Sequence, residues 1–234
     1  MQVDSLAMQC LTRGRLQQKM KEAFQRIQST LEAFPSSFVA DWLPNLSACE
    51  VAALQILVSA YDHGTSEHAL RTAGLVAAVA GQMQCAQEEV ALSYLAALLH
   101  DIGKAAIPEP ILCKPGPLDE QERKIMQLHP KIGRHMLVLA GGIFAAVEPI
   151  VVAHHERWDG EGYPAGLAGE DIPLLARILA VVDSFDAMTS PRVYQQRRTM
   201  AEARYELLLG AGHQYDPRVV AVFVALLDTG HIPC

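Results

Sequence analysis

The sequence has no closely spaced cysteine pair. Its five cysteines, Cys10, Cys49, Cys85, Cys113 and Cys234, are odd in number and scattered. That excludes a disulfide framework and a zinc knuckle, and it fits free thiols in a reducing cytoplasm. Basic charge is also short: 19 Lys and Arg face 26 Asp and Glu, a formal net charge of -7. A surface for DNA, which must neutralise many phosphates at once, is therefore not expected, although a small anion at a local cluster of positive charge stays open. The first ten residues lack a basic stretch leading into an apolar run, so no signal peptide is expected. The longest apolar stretch, 136–153, contains Gly141-Gly142 and is cut by Glu148-Pro149. It reads as core and not as a membrane span. Sustained alternating patterns, internal repeats and low-complexity tracts are missing as well.

What is present is helical periodicity, in a chain of 234 residues that is 50% hydrophobic and 19% charged. This is enough for one sizeable domain with a short extension. Leu16, Met20, Phe24, Ile27, Leu31 and Phe34 recur at steps of three and four, one apolar stripe on a helix ended by Pro35. The stripe serves either as a homodimer seam or as packing onto its own domain. Ser47 and Glu50 form a capping-box pattern that opens a second helix to about Tyr61. Further helices are predicted over 67–84, 87–100, 120–128, 130–139, 145–158, 173–188, 200–209 and 217–228. Several have start signals: Asp119 with Glu122, Thr199 with Glu202, and Asp216 before Pro217. Two Gly/Pro-rich stretches, 103–117 and 160–169, are predicted as irregular loops of the kind that often carry function. The expected fold is all-α, with a helical N-terminal extension over 1–46, regulatory or dimerising, and one domain over 47–234.

Of the nine histidines, His63, His135, His213 and His231 follow no pattern and are expected at the surface or in structural roles. The others keep more informative company. His100-Asp101 closes the apolar run 90–99 and is followed by Gly103 and Lys104. A helix that is apolar nearly all round is buried, so an Asp at its end must be paired or bind a cation. His154-His155-Glu156 follows the apolar run 150–153, and Asp183 lies within 178–185, where an unpaired carboxylate would be costly. Ligand-type residues at the ends and centres of buried helices point to a metal site assembled between helices. Each residue also has a bland reading: a lone His on an apolar face is more often a satisfied core residue, and for Lys104 a surface lysine capping a helix C-terminus is the lesser alternative. The joint pattern favours the metal.

The order His68…Arg71, His100-Asp101-Ile102-Gly103-Lys104, His129-Pro130, His154-His155-Glu156-Arg157-Trp158-Asp159-Gly160-Glu161-Gly162-Tyr163-Pro164 and Asp183…Asp186-Ala187-Met188-Thr189…Arg192 resembles the HD-GYP subgroup of HD-domain phosphohydrolases. The likeness runs from about Ser47 to the C-terminus. It implies an HD-domain helical bundle and a cyclic di-GMP phosphodiesterase, yielding pGpG or GMP by two-metal-activated hydroxide attack. It implies His68, His100, Asp101, His129, His154, His155 and Asp183 as metal ligands, with Asp101 bridging two divalent ions and Lys104 at the phosphate. A mixed imidazole and carboxylate set without cysteine suits iron or manganese. The resemblance further implies a dinucleotide contact from Arg192, whose fork suits a phosphate or a guanine edge, with Tyr163 and Gln195 near the substrate. In the loop 160–169, Gly160 and Gly162 permit backbone conformations closed to other residues, and Pro164 stiffens the exit. The resemblance implies a supporting role for this loop and a contact with a diguanylate cyclase or adaptor protein.

Two departures bear on function. Gly64 stands where members with a third metal carry Glu, so a two-metal site is expected. Gln195 stands where a basic residue is frequent, which weakens one phosphate contact; Arg197 and Arg198 follow closely. Two other functions stay open: a non-enzymatic receptor or scaffold acting through the loop, and an HD phosphohydrolase for another nucleotide.

Overall fold

The computed structural model describes residues 65–190 and 198–229. The helices expected over 16–34 and from Ser47 to Tyr61, the boundary between 1–46 and 47–234, and Gly64, Arg192, Gln195 and Arg197 lie outside the described residues.

Among the described residues the secondary structure is helical, with one isolated bridge between Ala211 and Tyr215 and no named strand. The α-helices are α1 Thr65–Gln82, α2 Gln87–Leu99, α3 Glu109–Leu112, α4 Glu120–Met126, α5 His129–Ala140, α6 Gly142–Val152, α7 Leu174–Thr189, α8 Met200–Gly210 and α9 Pro217–Asp228. Short 3-10 turns run over Ile102–Ala106 and Gly169–Asp171. The expected start signals operate as bonds. Asp119 accepts from the Glu122 amide at 2.9 Å while Glu122 accepts from the Asp119 amide at 2.9 Å. Thr199 and Glu202 do the same at the head of α8, and Asp216 accepts from the Arg218 amide at 2.8 Å. Each bond takes up an amide that a helix start leaves without a partner.

The structure departs from the sequence reading by more than two residues in two places. The region 103–117, expected to be irregular, holds the first 3-10 turn and α3. The helix expected over 145–158 begins at Gly142 and stops at Val152. Its start is set by Gly141 and Gly142, at φ 71° and 55°, a left-handed conformation that divides α5 from α6 and that glycine adopts without strain. Pro149 lies inside α6 and does not end it. The carbonyl it leaves without an amide partner belongs to Ala145, which is exposed and open to water.

Helix α7 is the centre of the fold. Ala176, Ile178, Leu179, Val181 and Val182 are fully buried along it, and it packs on α1, α2, α6, α8 and α9. Helices α1 and α2 form one tight pair, α5 and α6 another. The turn Ile102–Ala106 lies against α5, close enough that Gly103 and Gly133 face each other. One apolar cluster runs through these contacts, from Val76 and Val79 on α1 to Phe223 on α9. The candidate ligands sit at the rim of this cluster, at the C-terminal ends of α2 and α6, the head of α5, the first turn of α1 and the second half of α7.

Candidate metal centre

Three histidines are placed by one device. His100, after α2, donates Nδ1–H to the Ala97 carbonyl at 2.7 Å. His129, after α4, donates to the Met126 carbonyl at 2.8 Å. His154, after α6, donates to the Val151 carbonyl at 2.6 Å. Each acceptor lies among the last four carbonyls of its helix, which have no amide partner in the helix. One bond therefore completes a helix end, fixes the tautomer and leaves Nε2 as a lone-pair donor.

These Nε2 atoms converge. Those of His129 and His154 are 3.4 Å apart. Were both rings neutral with Nδ1 protonated, this contact would set two lone pairs against each other, an arrangement that a cation between them relieves. His100 Nε2 is buried and makes no hydrogen bond, although Asp101 Oδ2 and Asp183 Oδ1 lie 3.4 and 3.7 Å away. Nitrogens left this way suit a metal ion better than a purely structural core. The donors fall into two groups able to hold an ion, His68 with His100 and Asp101, and His129 with His154 and His155. Asp101 stands between the groups, with Oδ2 toward His100 at 3.4 Å and Oδ1 toward His129 at 3.3 Å. Asp183 joins the first group through Oδ1, 3.2 Å from His68 Nε2.

The electrostatics follow from burial and this crowding. Burial, then the neighbouring His155 and His100, hold His154 well below the usual histidine range. Burial and His129 bring His155 down to about 3. Both rings are thus neutral, the form that binds metals. For His68, burial acts downward but is outweighed by hydrogen bonds to Asp183 and Asp186, which raise it to about 9. Burial would raise Asp101 and Asp183, yet Lys104 and His100 around the former, and His68 and His100 around the latter, hold both well below the usual carboxylate range.

Lys104 follows on the same 3-10 turn and places Nζ 2.5 Å from Asp101 Oδ2. Its side chain is 30% exposed. The structure thus brings together all seven expected ligands and Lys104. Tyr163 joins them from the loop: its ring lies on His155, with centroids 4.8 Å apart, and its amide donates to the His155 carbonyl.

A family model described as HD domain matches residues 52–219. The chain belongs to the HD-domain family. This HD domain is 46% identical over 160 residues to the cyclic di-GMP phosphodiesterase response regulator RpfG of Xanthomonas campestris, a match covering 68% of this chain and 42% of the relative. It is 38% identical over 172 residues to 3'3'-cGAMP-specific phosphodiesterase 2 of Vibrio cholerae, covering 73% and 33%. The chain thus spans less than half the length of these curated relatives. In fold it is similar to an HDG"Y"P protein from Bdellovibrio bacteriovorus, with TM-score 0.58, 19% identity, and coverage of 90% of this chain and 70% of that one.

Three residues of the HD domain do more than the sequence reading gave them. Asp186 accepts from His68, and Arg71 holds Asp186 in turn. Glu156 is buried and accepts the amides of Ala165, Gly166 and Leu167 at 2.7, 3.0 and 3.0 Å, which ties the loop to the segment bearing His154 and His155. Gly162 is needed for space and not for an unusual φ: a Cβ there would lie 2.3 Å from the Arg157 nitrogen. Gly160, at φ 82°, does use the left-handed region. Glu156→Ala is expected to cost about 2 kcal/mol, because the three amides lose a charged acceptor and the exposed Ala165 and Gly166 recover water in its place. Urea unfolding, with hydrogen exchange at residues 165–167, measures this; unchanged exchange there would rule the tether out.

Proposed function

We propose that this HD domain is a metal-dependent phosphodiesterase of the HD-GYP kind that hydrolyses cyclic di-GMP to pGpG, or on to GMP. The observation that carries the reading is Asp101, whose two oxygens face two separate donor groups while Lys104 meets the same carboxylate at 2.5 Å. The donors assigned to two divalent ions are His68, His100 and Asp183 on one side and His129, His154 and His155 on the other, with Asp101 shared. Imidazole and carboxylate donors without cysteine favour iron or manganese. When bound, such ions supply Lewis acidity that polarises a phosphoryl oxygen and makes water a better nucleophile.

The chain's own residues supply the rest. Lys104 places a fixed positive charge where charge builds on a non-bridging phosphate oxygen. Tyr163 offers a ring face beside the centre for a base. Arg192 and Gln195 are assigned to the dinucleotide on the resemblance alone. Water adds to phosphorus and the bond to the 3'-oxygen breaks, leaving a 5'-phosphate and a 3'-hydroxyl. A diguanylate cyclase or adaptor docking at the loop, homodimerisation through the stripe in 1–46, and a cytoplasmic setting complete the reading; no described helix is long and apolar enough to cross a membrane. The likeness to cGAMP-specific phosphodiesterases favours one second reading, a hybrid cyclic dinucleotide as substrate.

The chain, purified without oxygen and loaded with Fe(II) or Mn(II), is expected to linearise cyclic di-GMP, with 3'3'-cGAMP compared alongside by chromatography of the products. Lys104→Met is expected to keep both ions and lose on the order of 10²- to 10³-fold in turnover. Two bound ions and a bound dinucleotide with no product would replace the enzyme by a receptor.

A further inference from the structure

His68 differs from His100, His129 and His154 in what holds it. It lies in the first turn of α1, where the carbonyls of the described residues are committed to the helix. A carboxylate orients its ring. Asp186 Oδ2 accepts His68 Nδ1–H at 2.6 Å. The same carboxylate accepts Arg71 Nε at 2.8 Å on Oδ1, and on Oδ2 it accepts Arg71 Nη2 at 3.2 Å and Ser190 Oγ at 3.0 Å. His68 and Arg71 are three residues apart on α1, and Asp183 and Asp186 three apart on α7, so each pair shares one helix face. The two faces meet. Asp183 Oδ1 comes to 3.2 Å from His68 Nε2, and Asp186 takes Nδ1 on the far side of the ring.

Asp186 is buried and its two oxygens already accept four hydrogen bonds. A carboxylate so occupied has little left to offer an ion, which separates its role from that of Asp183 one turn earlier. Holding Nδ1–H does two things instead: it fixes the ring with Nε2 toward Asp183, and it makes that nitrogen a stronger donor than a carbonyl partner would. Arg71 and Ser190 keep the carboxylate from turning.

We propose that Asp186, clamped by Arg71 and Ser190, is a positioning residue that fixes His68 as an Nε2 donor and sets the affinity of the ion subsite formed by His68, His100 and Asp183. This rests on the two-ion reading above. Among the described residues, His129 and His154 of the second subsite are held by helix-end carbonyls instead, so the two subsites are held differently.

The test is Mn(II) binding by the full chain in metal buffers, read as ions per chain and by electron paramagnetic resonance, which distinguishes a coupled Mn pair from a single ion. Wild type is expected to hold two ions with a coupled-pair signal. Asp186→Ala is expected to bind one ion with wild-type affinity and the other about 10- to 100-fold more weakly, with a single-ion signal at intermediate Mn(II). Asp186→Asn, which keeps shape and one acceptor oxygen, is expected to fall between them and guards against a variant that does not fold. A variant that melts earlier but binds both ions as wild type would make Asp186 a structural tether only and overturn the proposal. A wild-type chain that never holds a pair would overturn the two-ion reading itself, a result visible before any variant is made.

Discussion

Asp101→Ala is expected to remove both ions from the centre and to lower cyclic dinucleotide turnover by on the order of 10³-fold or more, the scale lost with a group that carries transition-state charge. The reason lies in the two faces of one carboxylate. Oδ1 is 3.3 Å from His129 Nε2 and Oδ2 is 3.4 Å from His100 Nε2, so truncation takes a donor from each group at once. It also leaves imidazole lone pairs facing one another with less negative charge to hold a cation among them. The helices are expected to survive, because the partner left behind, Lys104, is partly exposed and can turn to water. Circular dichroism should therefore match wild type while metal analysis falls to background. Two ions retained at near wild-type affinity would refute the bridging assignment, whatever the activity did.

Gly103→Ala is expected to damage both stability and the centre. A Cβ on residue 103 would lie 2.0 Å from the His129 carbonyl oxygen and 2.6 Å from the Gly133 nitrogen. Both are backbone atoms of α5, so no side chain can turn aside. Overpacking a well-filled site costs roughly 1–3 kcal/mol, occasionally more, and a backbone clash belongs at the upper end. For a domain of this size about 3 kcal/mol lowers the melting temperature by roughly 6–12 °C. The same strain separates Asp101 and the turn after it, which bears Lys104, from His129, so ion binding should weaken at temperatures where the variant is still folded. Thermal melts with and without Mn(II) separate the two effects. A variant with wild-type melting and ion content would show that the turn and α5 can part without consequence.

Helix α9, Pro217–Asp228, and the caps at Asp119, Thr199 and Asp216 were legible in the sequence because they rest on neighbours a few residues away. Of the seven candidate ligands, His100, Asp101, His154, His155 and Asp183 were legible as types at or within apolar runs, while His68 and His129 followed only from the match of their order to a known pattern. Contacts between distant segments were not legible. Whether an Asp on α7 ligates or clamps depends on what α1 sets opposite it, so Asp183 and Asp186 look alike until His68 and Arg71 are placed. Glu156 was part of a motif, but its hold on residues 165–167 exists only because the loop returns to it. The end of α6 was misplaced at residue 158 because the apolar pattern gives no sign that His154 will cap the Val151 carbonyl. A histidine two or three residues beyond a strongly apolar helix was the available signal.

That capping device also governs how the chain tolerates a change of length. The Nδ1 bond of each of His100, His129 and His154 goes to the helix just before it, three residues back along the chain. Residues inserted or deleted in 107–119, or in 83–86 ahead of α2, alter the path between donors without moving any imidazole relative to its own helix end. One residue added within α2 or α6 rotates everything after it by about 100° around the axis, a consequence of 3.6 residues per turn. It would swing a donor nitrogen out of the centre. The spacing that matters is therefore counted from helix ends and not from one histidine to the next.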